Sequence, residues 1–384
     1  MKHHLYNPDF EFVHEPVSFD KNTKRELLQY CLGATLYMPG TKEITDKILS
    51  KSILDYTSMV MCCEDAIDVN DLNKAEENIL NHLSSLSKAV KKGQIQLSDI
   101  PLTFVRVRNP QQFRSFAKSL NEEHIQILSG VVFPKLNSVN GADYLSTLFA
   151  LNQKFDSHLY LMPLLEGREI AYKEKREKEL IAVKNLLSPF KELVLNIRIG
   201  GTDISSLFAV RRGINYSIYD VLTVKDCLGD IVNYFGRVDE EYTISGPVWE
   251  YFLAYSDMNI DEIMKKNIHV SLLNRNEIIN EAIDGLLREV ILDKANGFVG
   301  KTIIHPSHAR FVNAMQSVTK EEYDDALQIL NTKGGVIKSS KSNKMNEISP
   351  HKNWAIKTYK RAQAYGVIKD ESSYLKLIIG KQKK

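Results

Sequence analysis

The sequence predicts an α/β protein, a (β/α)8 TIM barrel followed by a C-terminal helical extension. Short apolar runs bounded by Gly, Pro, Asn or Asp alternate with amphipathic stretches, and eight such runs occur in the 384 residues. The alternation spans about 280 residues, near the roughly 250 that are typical of an eight-stranded barrel. A doubly wound open sheet is the alternative fold. A doubly wound sheet that binds a dinucleotide has a GxGxxG turn after an early strand, and the sequence has none there.

The eight apolar runs are the predicted strands of the barrel. Continuous apolar runs are typical of strands that are buried on both faces. In chain order they are "GATLYMPG" (33–40), "SMVMCCED" (58–65), "LTFVRVRN" (102–109), "GVVFPK" (130–135), "LYLMPLLEG" (159–167), "LVLNIRIGGTD" (193–203), "YTISGPVWEY" (242–251) and "GFVGKTIIHPS" (297–307).

The segments between the strands are predicted helices, because their apolar residues lie three and four positions apart with charges on the opposite face. They include "TKEITDKILSKSI", "DLNKAEENILNHLSSLSKAVKK", "AYKEKREKELIAVKNLL", "IYDVLTVKDCLGDIVNYF" and "RNEIINEAIDGLLREVILDKA".

The chain divides into four predicted parts. Residues 1–32 form an N-terminal segment, and residues 33–331 form the barrel that carries the active site. Residues 332–350 are rich in Ser, Lys, Gly and Asn, which is typical of a linker. Residues 351–384 form the C-terminal helical extension, which we expect to dock on the barrel or on a neighbouring subunit because one such helix is marginal alone.

Composition and charge argue against several classes of function. A formal net charge of +2 gives no reason to expect a nucleic-acid or membrane partner. The apolar runs fall far short of the roughly 18 residues of a membrane span. The four cysteines (Cys31, Cys62, Cys63 and Cys227) have no CxxC spacing. We therefore expect reduced thiols in a cytoplasmic protein, with no zinc site.

Charged residues stand at the ends of most predicted strands, where barrel enzymes place their catalytic groups. These residues are Glu64, Asp65, Arg106, Arg108, Lys135, Glu166, Asp203, Lys301 and His305. Four carboxylates suit a hard, oxygen-ligated cation such as Mg²⁺, and the remaining cations suit an anionic substrate. The alternative is a ring of ion pairs that closes the barrel mouth. Glu166 and Asp203 favour the metal, since each follows a long apolar strand beside glycines that permit close approach.

Seven of these stretches resemble, in chain order, the motifs of one enzyme superfamily. They are "ATLYMPG", "CCEDAID", "FVRVRNP", "GVVFPKLNS", "LMPLLEG", "IGGTDISS" and "GFVGKTIIHPSH", and they cover roughly residues 33 to 315. The sequence is similar to the HpcH/HpaI aldolase and citrate lyase β-subunit superfamily of Mg²⁺-dependent carbon–carbon lyases. "DISSLFAVRRGINYSIYDV" and "ISGPVWEYF" resemble most its bacterial C–C-bond lyase branch, found beside tellurite-resistance and stress genes.

The resemblance implies roles for individual residues. Glu166 and Asp203 would bind Mg²⁺, or Mn²⁺ in its place, and Glu64 and Asp65 would orient metal-bound water. Arg106 would bind the substrate carboxylate. The residues expected at the substrate are Arg106, Arg108, Gly201, Thr202, Arg211 and Arg212, and those expected in catalysis are Arg106, Glu64, Asp65 and Lys301. For Lys301 a structural ion pair is an equal alternative, and the general base stays unassigned between Glu64 and a residue of the tail.

Two departures from the superfamily leave questions open. Arg108 stands where asparagine is common, so the register of Arg106 and Arg108 is undecided. Arg211 and Arg212 would suit a phosphate or a second carboxylate, or would face solvent or a neighbouring subunit. Together these departures make a coenzyme A thioester a doubtful substrate.

The leading hypothesis is a Mg²⁺-dependent lyase or aldolase that cleaves or forms a carbon–carbon bond next to a 2-oxo acid through a metal-stabilised enolate. One alternative is a metal-dependent thioesterase of the same superfamily. Another is a non-catalytic binding or scaffold barrel in a stress-response assembly. The resemblance also implies a homo-oligomer, a trimer or hexamer, with a small-molecule oxo acid as the main partner.

Overall fold

A computed structural model of the chain describes residues 1–240, 242–252, 279–340 and 344–379. Parts of three predicted segments lie outside these residues. They are the start of the helix predicted at 275–295, residues 341–343 of the predicted linker, and residues 380–384 of the predicted extension.

Seven parallel strands of the described residues form one curved sheet. They are β1 (Ala34–Pro39), β2 (Ser58–Cys62), β3 (Leu102–Arg106), β4 (Leu128–Phe133), β5 (Tyr160–Leu165), β6 (Arg198–Ile199) and β7 (Lys301–Ile303). Their order in the sheet is β6-β5-β4-β3-β2-β1-β7, so consecutive strands are neighbours and β7 pairs with β1.

The sheet closes through the segment predicted as the seventh strand. Two parallel bridges join Ile197 to Ile244 and Gly246 to Lys301, so this segment lies between β6 and β7. The predicted strand at 242–251 is therefore reduced to two bridges in the described residues. Closure brings the carboxyl ends of all the strands to one mouth.

Helices cover the outside of the barrel. Their bounds are Arg25–Leu28, Thr45–Leu49, Leu72–Lys91, Pro110–Ser119, Glu122–Ile127, Gly141–Phe155, Arg168–Ala171, Lys173–Leu187, Gly201–Ser206, Leu222–Phe235, Glu281–Ala295, Ala309–Gln316, Lys320–Asn331, Ile348–Tyr365 and Ser373–Ile379. Leu72–Lys91 shows why they pack there. Its buried Ala75, Ile79, Leu83 and Leu86 are spaced four, four and three apart, so they form one face against the sheet. Within the described ranges, no helix has both the length and the apolar character needed to cross a membrane.

Side chains alternate between the barrel interior and the helix layer along each strand. Val60 of β2, Phe104 of β3, Val132 of β4 and Leu164 of β5 belong to one buried cluster inside the barrel. A residue two positions later on the same strand points the same way. This alternation turns the side chains at the strand ends into the barrel mouth.

The C-terminal extension docks on its own barrel. Val367–Ile368 pairs in parallel with Val318–Thr319, and His14 of the N-terminal segment bridges to Val367. The helix Ile348–Tyr365 packs against Lys320–Asn331.

The predicted linker contains regular structure of its own. Val336–Lys338 pairs antiparallel with Met345–Glu347, and the following helix begins at Ile348. The four domain boundaries stay predictions.

Candidate active site

A cavity of about 390 Å³ lies at the carboxyl ends of the strands. Its lining includes six of the predicted site residues, which are Asp65, Arg106, Glu166, Gly201, Thr202 and Asp203. A larger cavity of about 790 Å³ lies at the start of β5 and is lined by residues 21–26, His158 and Tyr160. Because barrel enzymes use the carboxyl ends of their strands, the smaller cavity is the candidate site.

Glu166 is a buried carboxylate that follows β5. It comes two residues after the interior Leu164, so it points into the barrel mouth, and its exposed fraction is 2%. The backbone N–H of Lys135 donates to Oε1 over 3.1 Å. The second oxygen, Oε2, is buried and has no hydrogen-bond partner among the described residues. Burial raises the pKa of Glu166 well above its usual range, and the nearby Asp203 raises it further.

Asp203 reaches the same cavity from the next strand. It is a half-buried residue in the first turn of the helix Gly201–Ser206, which begins directly after β6. A Cβ atom on Gly200 would lie only 2.0 Å from Glu166 Oε2. Glycine at 200 therefore lets the end of β6 approach the Glu166 carboxylate, and both acidic groups line one space.

A second pair of carboxylates is already neutralised by two cations. Arg106 Nη2 lies 2.9 Å from Glu64 Oε2 and 3.8 Å from Asp65. Lys135 Nζ lies 2.5 Å from Glu64 Oε1 and 3.3 Å from Asp65. Cys62 Sγ accepts a hydrogen bond from Arg106 Nε at 3.1 Å, which fixes the guanidinium further. Burial still raises the pKa of Glu64, so it outweighs the two cations.

The charges at the mouth therefore do not cancel. Arg106 and Lys135 compensate Glu64 and Asp65, whereas Glu166 and Asp203 make no salt bridge within the described part of the chain. Two acidic groups without a paired cation are therefore left in this cavity.

The family comparison agrees with this site. The sequence matches the family described as C–C bond lyase of the TIM-barrel fold over residues 26–367. The chain belongs to that C–C bond lyase family. The match confirms the resemblance to the C–C-bond lyase branch and the predicted TIM-barrel fold. None of the curated proteins matches this sequence.

Solved structures similar to this chain are distant in sequence. CitE from Mycobacterium tuberculosis, in complex with magnesium, acetoacetate and coenzyme A, has a TM-score of 0.52 and 15% identity, and the alignment covers 87% of this chain and 99% of that one. The citrate lyase β subunit from M. tuberculosis, complexed with oxaloacetate and magnesium, has a TM-score of 0.44 and 12% identity, and the alignment covers 74% of this chain and 96% of that one. RipC from Yersinia pestis has a TM-score of 0.45 and 14% identity, and the alignment covers 75% of this chain and 95% of that one. The first of these similarities supports the fold.

Arg108 and Arg211, both predicted at the substrate, do not line the cavity. Arg108 Nε donates to the carbonyl of Cys63 over 3.0 Å, and Nη2 lies 3.4 Å from the carbonyls of Glu64 and Ile67. Its guanidinium therefore holds the loop after β2. Arg211 is exposed outside the cavity. Of the two arginines, Arg106 lines the cavity and Arg108 does not.

Lys301 and Arg212 belong to a buried ionic cluster behind the closing segment. Lys301 Nζ lies 2.8 Å from Asp293 and 3.1 Å from Glu289, and all three side chains are fully buried. Arg212 pairs with the same Glu289 and donates to the Val248 carbonyl over 2.9 Å. Neither cation lines the cavity, so the geometry favours the structural ion pair for Lys301. Arg212, predicted at the substrate or else at the solvent or a neighbouring subunit, is instead buried in this cluster.

Three interior side chains were missed as functional candidates. Tyr37 and Thr302 line the cavity, and Arg198 lies fully buried on β6. Lys135 was noted at a strand end without a role. Hydroxyls and a lone arginine within apolar strands give no spacing signal, so sequence patterns alone do not reveal them.

Proposed function

We propose that this protein is a Mg²⁺-dependent lyase or aldolase that cleaves or forms a carbon–carbon bond next to a 2-oxo acid. Its family is one of carbon–carbon bond lyases. The observation that carries the metal and the substrate class is the uncompensated pair of Glu166 and Asp203 at the barrel mouth.

The pair fits a small divalent cation. Glu166 Oε2 is buried without a partner, and the glycine at 200 keeps the space beside it open. Among the described residues, no three His, Cys, Asp or Glu side chains converge on one closed metal site. A cation on Glu166 and Asp203 would therefore keep water and substrate oxygens as its other ligands, which is the usual arrangement for Mg²⁺ and is also accepted by Mn²⁺.

Arg106 is the proposed carboxylate-binding group. Arg106 lines the cavity, and its guanidinium is held by Glu64 and by Cys62. A planar guanidinium in fixed orientation binds a carboxylate through two hydrogen bonds. Glu64 and Asp65, tied to Lys135, are proposed to orient water at the metal. When bound, Mg²⁺ would polarise the oxo group and offset the negative charge that develops as the bond breaks.

The nature of the second substrate fragment stays a prediction. The M. tuberculosis CitE structure is a complex with magnesium, acetoacetate and coenzyme A. The prediction that a coenzyme A thioester is a doubtful substrate rests on the sequence of this chain alone. The homo-oligomer, as a trimer or hexamer, is likewise proposed from resemblance.

Thermal unfolding with candidate oxo acids tests the proposal. Pyruvate, oxaloacetate or glyoxylate should raise the Tm in the presence of Mg²⁺ and leave it unchanged in EDTA. Asp203→Asn should abolish the shift, whereas Glu174→Gln, an exposed carboxylate outside the cavity, should retain it. No Mg²⁺-dependent shift with any of the three acids would contradict the proposal. Release of free thiol from acetyl-coenzyme A would support the thioesterase alternative instead.

A further inference from the structure

Arg198 is a cation buried in the barrel without a carboxylate partner. Its exposed fraction is 0%, and the described residues give it no salt bridge. Nη1 donates to Ser245 Oγ over 2.9 Å and to Thr35 Oγ1 over 3.2 Å, and Nη2 donates to Thr302 Oγ1 over 2.6 Å. Nε has no partner among these residues. Three hydroxyls solvate the charge, but none of them neutralises it.

The hydrogen bond from Arg198 determines what Thr302 can offer to the cavity. A guanidinium has only donors, so Thr302 Oγ1 must accept this bond. Thr302 makes no other side-chain hydrogen bond with the described residues, and it lines the cavity. Its own O–H is therefore free to donate to an acceptor in the cavity.

Tyr37 provides a second hydroxyl on the side of the cavity that is formed by β1 and β7, which we call the β1–β7 wall. Thr302 of β7 pairs in register with Thr35 of β1, and Tyr37 lies two residues further along β1 on the same face. The guanidinium carbon of Arg198 is 5.6 Å from the Tyr37 ring centroid, and that of Arg106 is 5.8 Å from it. The Tyr37 hydroxyl is buried and has no hydrogen-bond partner of good geometry among the described residues.

The charge balance indicates what this wall would bind. Arg106 and Lys135 are matched by carboxylates, and a divalent cation would match Glu166 and Asp203. Arg198 is then the positive charge without a counter-charge. An anionic oxygen in the cavity would supply that counter-charge and accept the free hydroxyl protons.

We propose that Thr302 donates a hydrogen bond to the carboxylate of the substrate, and that Arg198 is the positioning residue that orients this hydroxyl and selects an anion. This inference deepens the proposed function and rests on it for the identity of the substrate as an oxo acid. It assigns anion selectivity to the β1–β7 wall in addition to Arg106.

Variants of Thr302 test the hydrogen bond by isothermal titration of the Mg²⁺-loaded protein with pyruvate and, in a separate experiment, of the metal-free protein with Mg²⁺. Thr302→Val keeps the shape and removes the donor, and Thr302→Ser keeps the donor. We expect Thr302→Val to weaken pyruvate binding about ten-fold, the loss of one hydrogen bond to a charged group. Thr302→Ser should bind pyruvate as the wild type does, and both variants should retain the wild-type Mg²⁺ affinity. Unchanged pyruvate affinity in Thr302→Val would overturn the inference.

Arg198→Met tests the charge, with neutral pyruvamide as the comparison ligand. Loss of the cation should reduce the preference for pyruvate over pyruvamide, while a merely structural defect would weaken both equally and so overturn the inference. The outcomes also separate this inference from the proposed function. Pyruvate binding that needs no metal but is weakened by Thr302→Val would support the inference and contradict the metal-dependent function. No pyruvate binding by the wild type would overturn both.

Discussion

Replacing Glu166 by glutamine removes an ionisable carboxyl group from a place where no described residue forms a salt bridge with it. The amide has the same shape as the carboxylate and turns one unpartnered oxygen into a group that can donate to Asp203. Without metal the variant should therefore be more stable than the wild type. Mg²⁺ should then stabilise only the wild type, because the wild type gains a ligand that the variant cannot hold.

The sizes of both effects follow from general values. A buried polar atom without a partner costs about 1–3 kcal/mol, and this is the expected gain of Glu166→Gln in EDTA. At a Mg²⁺ concentration of about 100 times its Kd, the wild type gains about 2.7 kcal/mol. An unfolding entropy of about 2.1 cal/mol/K per residue gives about 0.8 kcal/mol/K for 384 residues. The variant should thus melt about 1–4 °C higher in EDTA, and Mg²⁺ should raise only the wild-type Tm, by about 3 °C.

Differential scanning calorimetry of three proteins, each in EDTA and in Mg²⁺, measures these shifts. The exposed-site variant Glu174→Gln is the control and should behave as the wild type in both buffers. A Mg²⁺-dependent rise in the Glu166→Gln variant equal to that of the wild type would refute the reasoning. A lower Tm of that variant in EDTA would also refute it, because Glu166 would then be stabilised by a partner.

Three further predictions concern the framework around the site. Lys301→Met leaves the buried Asp293 carboxylate without its cation and Glu289 with Arg212 alone, so we expect the free energy of unfolding in urea to fall by about 3–5 kcal/mol, and a loss below about 1 kcal/mol would contradict the buried cluster. Gly200→Ala should abolish Mg²⁺ binding in titration calorimetry, because the new Cβ would meet Glu166 Oε2. The control Gly229→Ala, which has open space around its Cβ, should bind Mg²⁺ as the wild type does. Equal Mg²⁺ binding by both variants would contradict the close approach of Gly200 to Glu166. Burial lowers the pKa of His82 in the folded protein to about 4. As the pH drops, the imidazole of His82 is therefore protonated in the unfolded chain before it is protonated in the folded protein. The free energy of unfolding should fall by as much as about 3 kcal/mol between a pH of about 6.5 and a pH of about 4. His82→Gln should flatten that part of the urea-unfolding profile, and an unchanged profile would contradict the assignment.

The barrel and the core of the site could be predicted because both follow from strand alternation. Parallel strands bring their carboxyl ends to one mouth, so Glu166, Asp203 and Arg106 meet in one cavity although they are far apart in the sequence. The glycine at 200 was also informative, since the close approach it permits is the one that the structure contains.

The inward or outward direction of single side chains could not be predicted in strands that are buried on both faces. In "GFVGKTII" Lys301 and Thr302 are adjacent residues within one largely apolar run, and only the structure shows that Thr302 faces the interior while Lys301 pairs in the helix layer. Arg106 and Arg108 share the same alternation, but β3 ends at Arg106 and the chain then turns. Arg198 was missed because a charge inside an apolar strand gives no pattern of its own.

The most direct test of the central claim is the position of a metal ion in crystals grown with Mn²⁺ and pyruvate. The anomalous difference map should show one peak between Glu166 Oε2 and the Asp203 carboxylate. A peak on Glu64 and Asp65, or no peak within the cavity of ordered crystals, would contradict the claim that these two carboxylates hold the metal.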